Sequence, residues 1–459
     1  MPGVIPVGET TQTQRIKVIL ALGVPAMIEN LLQTIVGFVD TLFVAKLGLA
    51  EVAAVGVTNA ILAVYLAVFM AMGVGTSSLI AKSVGAGDME RAKVIAKQST
   101  WLSAVLGIVF GIITLLFAEP LLRIMGAEPD VLADGIVYFR IVAIPSIFIS
   151  LMTVFGSVLR AAGDTKTPMK VGIWINLIHV VLDYILIFGL FGMGGWGIAG
   201  AAWATVIARA IGTVLLFLFI RKSKLSFSLR TATLSERFTL PLLKLSTPAA
   251  AERLIMRFGQ VLYFGLIVRI GTDVYAAHMI AGNIEIFSYM PGYGLAVAAT
   301  TLVGQSLGAN RRADAYRYGL LTTGIAVIFM SLIGVLLFIF SPLAATWFTG
   351  QVDVVDMVTT ALRIDAFAQP FLAVGLVLAG ALQGAGDTKS PMYSTAIGMW
   401  LIRVVGVYVL CIYWGMGIAG VWLSIAIDLL IRAVYLLFRF KRMFRDVGKD
   451  APVSSSQQF

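Results

Sequence analysis

The sequence predicts an all-α polytopic membrane protein with twelve transmembrane helices in two parallel six-helix repeats, an N-lobe and a C-lobe. Composition predicts the solvent: 59% of the 459 residues are apolar and 13% are charged, where a soluble domain carries about 25% charged residues. Patterning predicts the element, because the apolar runs reach about 20 residues or more, the length at which an α-helix crosses hydrocarbon. Self-comparison predicts the organisation, because the second half returns to the pattern of the first at a nearly constant spacing of 223 residues.

In chain order, a polar tail (1–14) carries no small-residue cleavage site and is not read as a secretory signal peptide. Span 1 (15–46) follows it, and span 2 (51–82) ends at Lys82. Span 3 (91–118) opens at Arg91, and span 4 (131–158) stops before Arg160. Span 5 (168–191) starts inside the GDTKTPM segment, and span 6 (196–221) ends at Arg221, closing the N-lobe at 15–221. A polar, basic linker (222–236) leads to the C-lobe (237–442), with spans at 237–269, 274–306, 314–341, 354–382, 391–414 and 417–440. The tail 443–459 ends in SSSQQF and is too polar to bury a core.

Charge sets the expected orientation. The termini and the even-numbered connections carry 24 Lys and Arg, whereas the opposite connections carry Lys46, Arg123 and Arg269. That asymmetry places both termini in the cytoplasm. It also accounts for the formal charge of +10 without a nucleic-acid partner.

Within the repeat, Pro25 matches Pro248, Gly48 matches Gly271, Gly85 matches Gly308 and Arg140 matches Arg363. GDTKTPM at 163–169 returns as GDTKSPM at 386–392, and GIAG at 197–200 returns at 417–420, a shift of 220 that reflects a small deletion. Six spans per half is an even number, so the two halves enter the membrane in the same sense.

Enzymatic machinery is not expected. The chain has no P-loop, HExxH, GxSxG or CxxC arrangement, and the GxGxxG at Gly192 to Gly197 joins two apolar spans with no βαβ unit around it. One cysteine, Cys411, and two histidines exclude a disulfide framework and a His/Cys zinc cluster. No metal or organic cofactor is expected, which leaves transport, for which ionisable groups at membrane depth are the natural candidates.

Two polar stripes stand out. On span 1, Asn30, Gln33, Gly37 and Asp40 follow helical steps of three and four, and on span 5 so do Gly172, Asn176, His179 and Asp183. The repeat acts as an internal control: Asp40 maps to Tyr263, Asn176 to Met399, His179 to Ile402 and Asp183 to Gly406. The carboxylates are therefore not needed to build a lobe. Carboxyls in a poorly hydrated cavity are costly to ionise, the more so side by side, so such a pair can exchange protons near neutral pH. A cationic substrate in the same cavity then competes with the proton, and that reciprocity is antiport. Na⁺ is the alternative coupling ion, and His179 weights the reading toward protons. Pro25 removes one backbone hydrogen bond from span 1 and can kink or hinge it. In the C-lobe, Glu252, Arg253, Arg257, His278, Arg403, Asp428 and Arg432 are read mainly as internal pairs, with Asp428 and Arg432 at i, i+4 spacing. Glu285 is the C-lobe residue singled out for testing.

The doubled six-span plan, the repeated GDTK[TS]P and Asp40 following Pro25 resemble the multidrug and toxic compound extrusion (MATE) family over residues 15–442. With Leu182 and Asp183 on span 5, the likeness is to its DinF-like prokaryotic branch. The resemblance implies a V-shaped pair of lobes that exports amphipathic organic cations or drugs in exchange for H⁺ or Na⁺. Asp40 and Asp183 would sit in an N-lobe cavity that Thr205 also lines, with Pro25 bending span 1. The implied setting is the plasma membrane of a prokaryote (the cell inner membrane), with small-molecule substrates, a monomer and no nucleic acid. Two departures matter. His179 stands where relatives carry Asn, and the acidic pair of NorM-type members on spans 7 and 10 has no clear match, since Asp365 lies too early. A flippase for a lipid-linked saccharide, and a non-transporting receptor or scaffold, are the competing readings.

Overall fold

The computed structural model describes residues 11–189, 194–228 and 236–445, which are helical apart from short connections. The N-lobe runs through α1 (Gln12–Ala45), α2 (Leu49–Gly85), α3 (Met89–Ile124), α4 (Pro129–Ala143), α5 (Ser146–Ala161), α6 (Lys166–Phe188) and α7 (Gly197–Lys222). The C-lobe runs through α8 (Glu236–Ile270), α9 (Thr272–Gly308), α10 (Arg312–Thr346), α11 (Val352–Ala385), α12 (Lys389–Ala396), α13 (Val405–Val407) and α14 (Gly417–Met443). Wider π-helical turns at Ile397–Val404 and Tyr408–Tyr413 join α12 and α13 into one span. Residues 229–235 of the linker and residues 1–10 and 446–459 of the terminal tails fall outside the described residues.

Ten helices, counting Lys389–Tyr413 as one, are long and apolar enough to cross a membrane by themselves. Two further spans need a reason. The expected span 4 is a broken helix: α4 and α5 meet at a 46° bend, where Pro145 takes a non-helical backbone conformation. The hydroxyl of Ser146 covers a freed carbonyl by donating to Ala143 O. α8 has ample length at 35 residues, but Glu252, Arg253, Arg257 and Arg269 dilute its apolar character. Among the described residues, taking the bent pair α4–α5 as one span and adding α8 on its length gives the expected twelve.

The repeated GDTK[TS]P is a turn built twice. Gly163 and Gly386 hold left-handed φ of 93° and 88° at the ends of α5 and α11, where a side chain would be strained. Asp164 then accepts from the backbone N–H (2.9 Å) and hydroxyl (2.6 Å) of Thr167, and Asp387 accepts from Ser390 at the same two distances.

The two lobes grip each other through the first two helices of each repeat. Ile19 and Leu22 of α1 belong to a core with Leu295, Leu302 and Val377 of the C-lobe, and Leu242 of α8 belongs to an N-lobe core with Ile80 and Leu159. At the basic end, Lys82 Nζ donates to Ala385 O at 2.7 Å, while its repeat counterpart Gln305 donates from Nε2 to Ala161 O at 3.0 Å. One turn earlier, Ser78 donates to Gly384 O at 3.4 Å and its counterpart Thr301 to Arg160 O at 3.1 Å. Two glycines permit the crossing: a Cβ on Gly85 would lie 1.9 Å from Gln305 O, and one on Gly308 would lie 2.0 Å from Lys82 O. Arg15 adds an ion pair across the lobes to Asp314 at 2.8 Å.

Candidate functional site

The two polar stripes meet because α6 packs between α1 and α7. Small residues set these spacings. A Cβ on Gly172 of α6 would only touch Glu29 of α1 at 3.7 Å, whereas on α7 a Cβ at Gly200 would collide with Leu186 O at 2.2 Å and one at Gly212 with Ile175 Cδ1 at 2.4 Å. Packed this way, one oxygen each of Asp40 and Asp183 and one ring nitrogen of His179 lie within 4.8 Å of one another. Asp183 is fully buried, while Asp40 and His179 are half-buried.

Hydrogen bonding holds the histidine in place. Thr205 Oγ1 donates to Ala201 O at 3.0 Å and lies 3.2 Å from His179 Nε2, a pair whose donor follows from the imidazole tautomer. The same nitrogen comes within 3.4 Å of Asp183 Oδ2, a close approach rather than a second full bond. Both Asp183 oxygens and Asp40 Oδ1 are buried with no hydrogen-bond partner. Buried polar atoms of this kind need an explanation, and an exchangeable ligand supplies one.

Two further residues face the cluster. Arg209, one turn beyond Thr205 on α7, is the cation opposite Asp40 and His179, and its Nη1 is buried without a hydrogen-bond partner. Tyr138 of α4 is buried and faces Thr205, Asp40, Asp183 and Arg209. At offsets of 220 and 223 these positions are Leu429 and Ala361, so they too belong to the N-lobe alone. The sequence did hold a signal for Arg209: it is a charge in the middle of an apolar span. Tyr138 gave none, since an interior tyrosine is ordinary.

With both carboxylates ionised and His179 neutral, Arg209 offsets one negative charge and leaves the cluster one positive charge short. A buried charge must be compensated. One proton, one Na⁺ or one cationic group closes the balance.

Asn30 and Asn176 are half-buried and Gln33 is exposed, and none of the three makes a side-chain hydrogen bond to another described residue. Pro25 is buried inside α1, which continues as one helix across it. By contrast, α3 breaks helical geometry at Phe117, three residues before Pro120.

The C-lobe handles its charges differently. Asp428 accepts from Arg403 at 2.9 Å and from Arg432 at 2.5 and 3.0 Å. Glu252 accepts from Gln383 and Thr395, while its repeat counterpart Glu29 pairs with Arg160 at 3.0 Å. His278 sits among the rings of Tyr263, Phe264 and Trp422, as a core aromatic does. Glu285 faces Asp365 and Arg403. Asp365 Oδ2 accepts from Gln369 at 2.6 Å, and that amide also reaches Ser288 at 3.0 Å.

The MatE family model matches residues 25–185 and again 248–409, once per repeat. The "Probable multidrug resistance protein NorM" of Thermotoga maritima is 30% identical over 429 residues, covering 92% of each chain. Among solved structures, a Pyrococcus furiosus transporter of the MOP superfamily, described as having a binding pocket of reverse polarity that suggests a different function, aligns with a TM-score of 0.89 at 25% identity. That alignment covers 96% of this chain and all of the other. The outward-facing conformation of a multidrug resistance MATE transporter aligns with the same TM-score at 26% identity and the same coverage. With two tandem family matches and a repeat that accounts for both, this chain belongs to the MATE (MatE) family of multi-pass membrane transporters and is not an enzyme.

Proposed function

We propose that this transporter is a secondary active antiporter of the plasma membrane that exports amphipathic organic cations and drugs in exchange for protons. The observation that carries the reading is the Asp40, His179 and Asp183 cluster, one positive charge short against Arg209 and rich in unpartnered carboxylate oxygens. A proton and a cationic substrate are rivals for that one charge, which couples their movements in opposite directions. The multidrug names of relatives support the substrate class. The clasp at Lys82, Gln305, Gly85 and Gly308 supports an outward-facing state closed at the end where the charge asymmetry places the cytoplasm and both termini. Pro25 is the proposed hinge of α1, and the working unit is the monomer.

A second reading, Na⁺ in place of the proton, is favoured by the same geometry: two carboxylates, an imidazole nitrogen and the Thr205 hydroxyl converge on a small volume. The deciding experiment is efflux of a fluorescent organic cation from proteoliposomes under an imposed pH gradient or an imposed Na⁺ gradient, with wild type and Asp40→Asn. Export driven by the pH gradient and lost in the variant supports proton coupling. Export driven by Na⁺ alone replaces the coupling ion, and no flux under either gradient moves the assignment to a lipid-linked substrate.

A further inference from the structure

The GDTK[TS]P turn is built twice, yet its two copies have different surroundings. Around the C-lobe copy lies a cavity of about 750 Å³, lined by Lys244, Asp387, Lys389, Tyr393, Tyr435 and Arg439 among others. Three of these side chains are cationic and one is anionic. The anion is already engaged, since Asp387 holds Ser390 and Arg439. Lys244 and Lys389 are exposed and carry no ion pair or hydrogen bond to another described residue, and Arg439 keeps Nη1 free beyond its bonds to Ser390 and Asp387. The cavity thus presents two unspent ammonium groups and a fixed guanidinium edge.

The N-lobe copy lacks this setting. Lys166 matches Lys389, but Lys244, Tyr435 and Arg439 correspond to Ala21, Leu215 and Phe219. The positive-inside bias would supply basic residues to both turns alike, so it does not explain a cationic cavity at one of them.

Beyond the cavity the surface turns apolar. Tyr393, Ile397 and Leu401 are exposed at steps of four along the eleventh span, and Val434 and Phe438 are exposed on α14 beside it. A cationic pocket at the membrane-water boundary that opens onto an apolar track matches a phosphate head group with acyl chains below it. Arg439 and the lysines suit a phosphate monoanion, and the two tyrosines suit the interfacial depth.

We infer that the cavity between α8, α12 and α14 is a binding site for the phosphate of an anionic phospholipid of the inner leaflet, held by Lys244, Lys389 and Arg439. The site is separate from the N-lobe cluster and does not rest on the antiport assignment.

The test uses the purified full-length protein and native mass spectrometry of lipid retention, with phosphatidylglycerol against phosphatidylcholine. The comparison variants are Lys244→Gln/Lys389→Gln and, for the N-lobe turn, Lys166→Gln/Lys170→Gln. All four lysines are exposed, so the fold is retained, and a thermal melt confirms it. The expected result is preferential retention of phosphatidylglycerol that falls about tenfold in the first variant and stays unchanged in the second. Equal retention of the two lipids by the wild type, or equal loss in both variants, overturns the site. Displacement of phosphatidylglycerol by millimolar inorganic phosphate assigns the pocket to a free anion and overturns the lipid.

Discussion

The two lobes share one helical plan, and one buried aspartate in each, Asp428 and Asp183, is used in opposite ways. In the C-lobe, Asp428 is saturated by Arg403 and Arg432, an arrangement that locks α14 to the eleventh span. In the N-lobe, Asp183 is equally buried, yet neither of its oxygens has a hydrogen-bond partner. A saturated charge holds a structure together, whereas an unsaturated one creates a demand that a mobile ion can meet. The difference teaches that burial alone does not decide what a charge does; the partners its oxygens keep do.

The largest expected effect tests the saturated side. Asp428→Ala strands two buried guanidinium groups and is expected to cost about 3–5 kcal/mol of stability, read as a collapse of the unfolding midpoint in detergent. Survival of that variant at wild-type stability would mean the C-lobe ions are dispensable. Asp183→Asn should do the reverse, abolishing gradient-driven export while leaving stability within about 1 kcal/mol of wild type or raising it. Parallel loss of folding and transport would erase the contrast between the lobes. Arg209→Gln leaves the cluster two positive charges short instead of one, and the number of coupling cations moved per substrate should rise, as reversal-potential measurements in proteoliposomes would register. His179→Asn should reduce acid-driven export about a hundredfold if the imidazole relays the proton; an unchanged dependence on the pH gradient returns His179 to the packing of α6 against α7.

The smallest effect lies outside the membrane-spanning segments. Burial pushes the Asp387 carboxyl up, but the hydrogen bonds from Ser390 and Arg439 outweigh it and hold the group below the usual carboxylate range. Because its folded value lies below the unfolded one, its stabilisation is present above the ordinary value of about 3.9 and fades as pH falls through the folded value. Asp387→Asn should therefore lower stability by about 1–2 kcal/mol at neutral pH and make little difference in strong acid, as melts across that range would check.

Much of this was legible because hydropathy, charge asymmetry and the repeat are statements about solvent and symmetry, which the sequence carries directly. Asp40, His179 and Asp183 could be read from helical steps plus the repeat, since their counterparts Tyr263, Ile402 and Gly406 show what the framework alone requires. Arg209 obeys the same rule as a charge at membrane depth, but its place opposite Asp40 depends on how α7 packs on α6, which no single span encodes. The broken fourth span was missed for another reason: its hydrophobicity is continuous, and the break comes from one residue, Pro145. The wider turns of Ile397–Val404 and Tyr408–Tyr413 leave no periodic trace in the sequence of a single segment.

The reciprocal crossing of α2 and α9 carries a kinetic consequence. Each helix caps the carbonyls that end a helix in the other lobe, and each is held there by a glycine too small to be replaced. Releasing one half alone would leave one set of carbonyls bare while the other half still blocked the way, so a partly opened seam gains nothing. Opening is then all-or-none. Under the proposed antiport such a seal insulates: ions do not trickle through a half-parted interface, and the gradient is drawn down only when the entire crossing lets go.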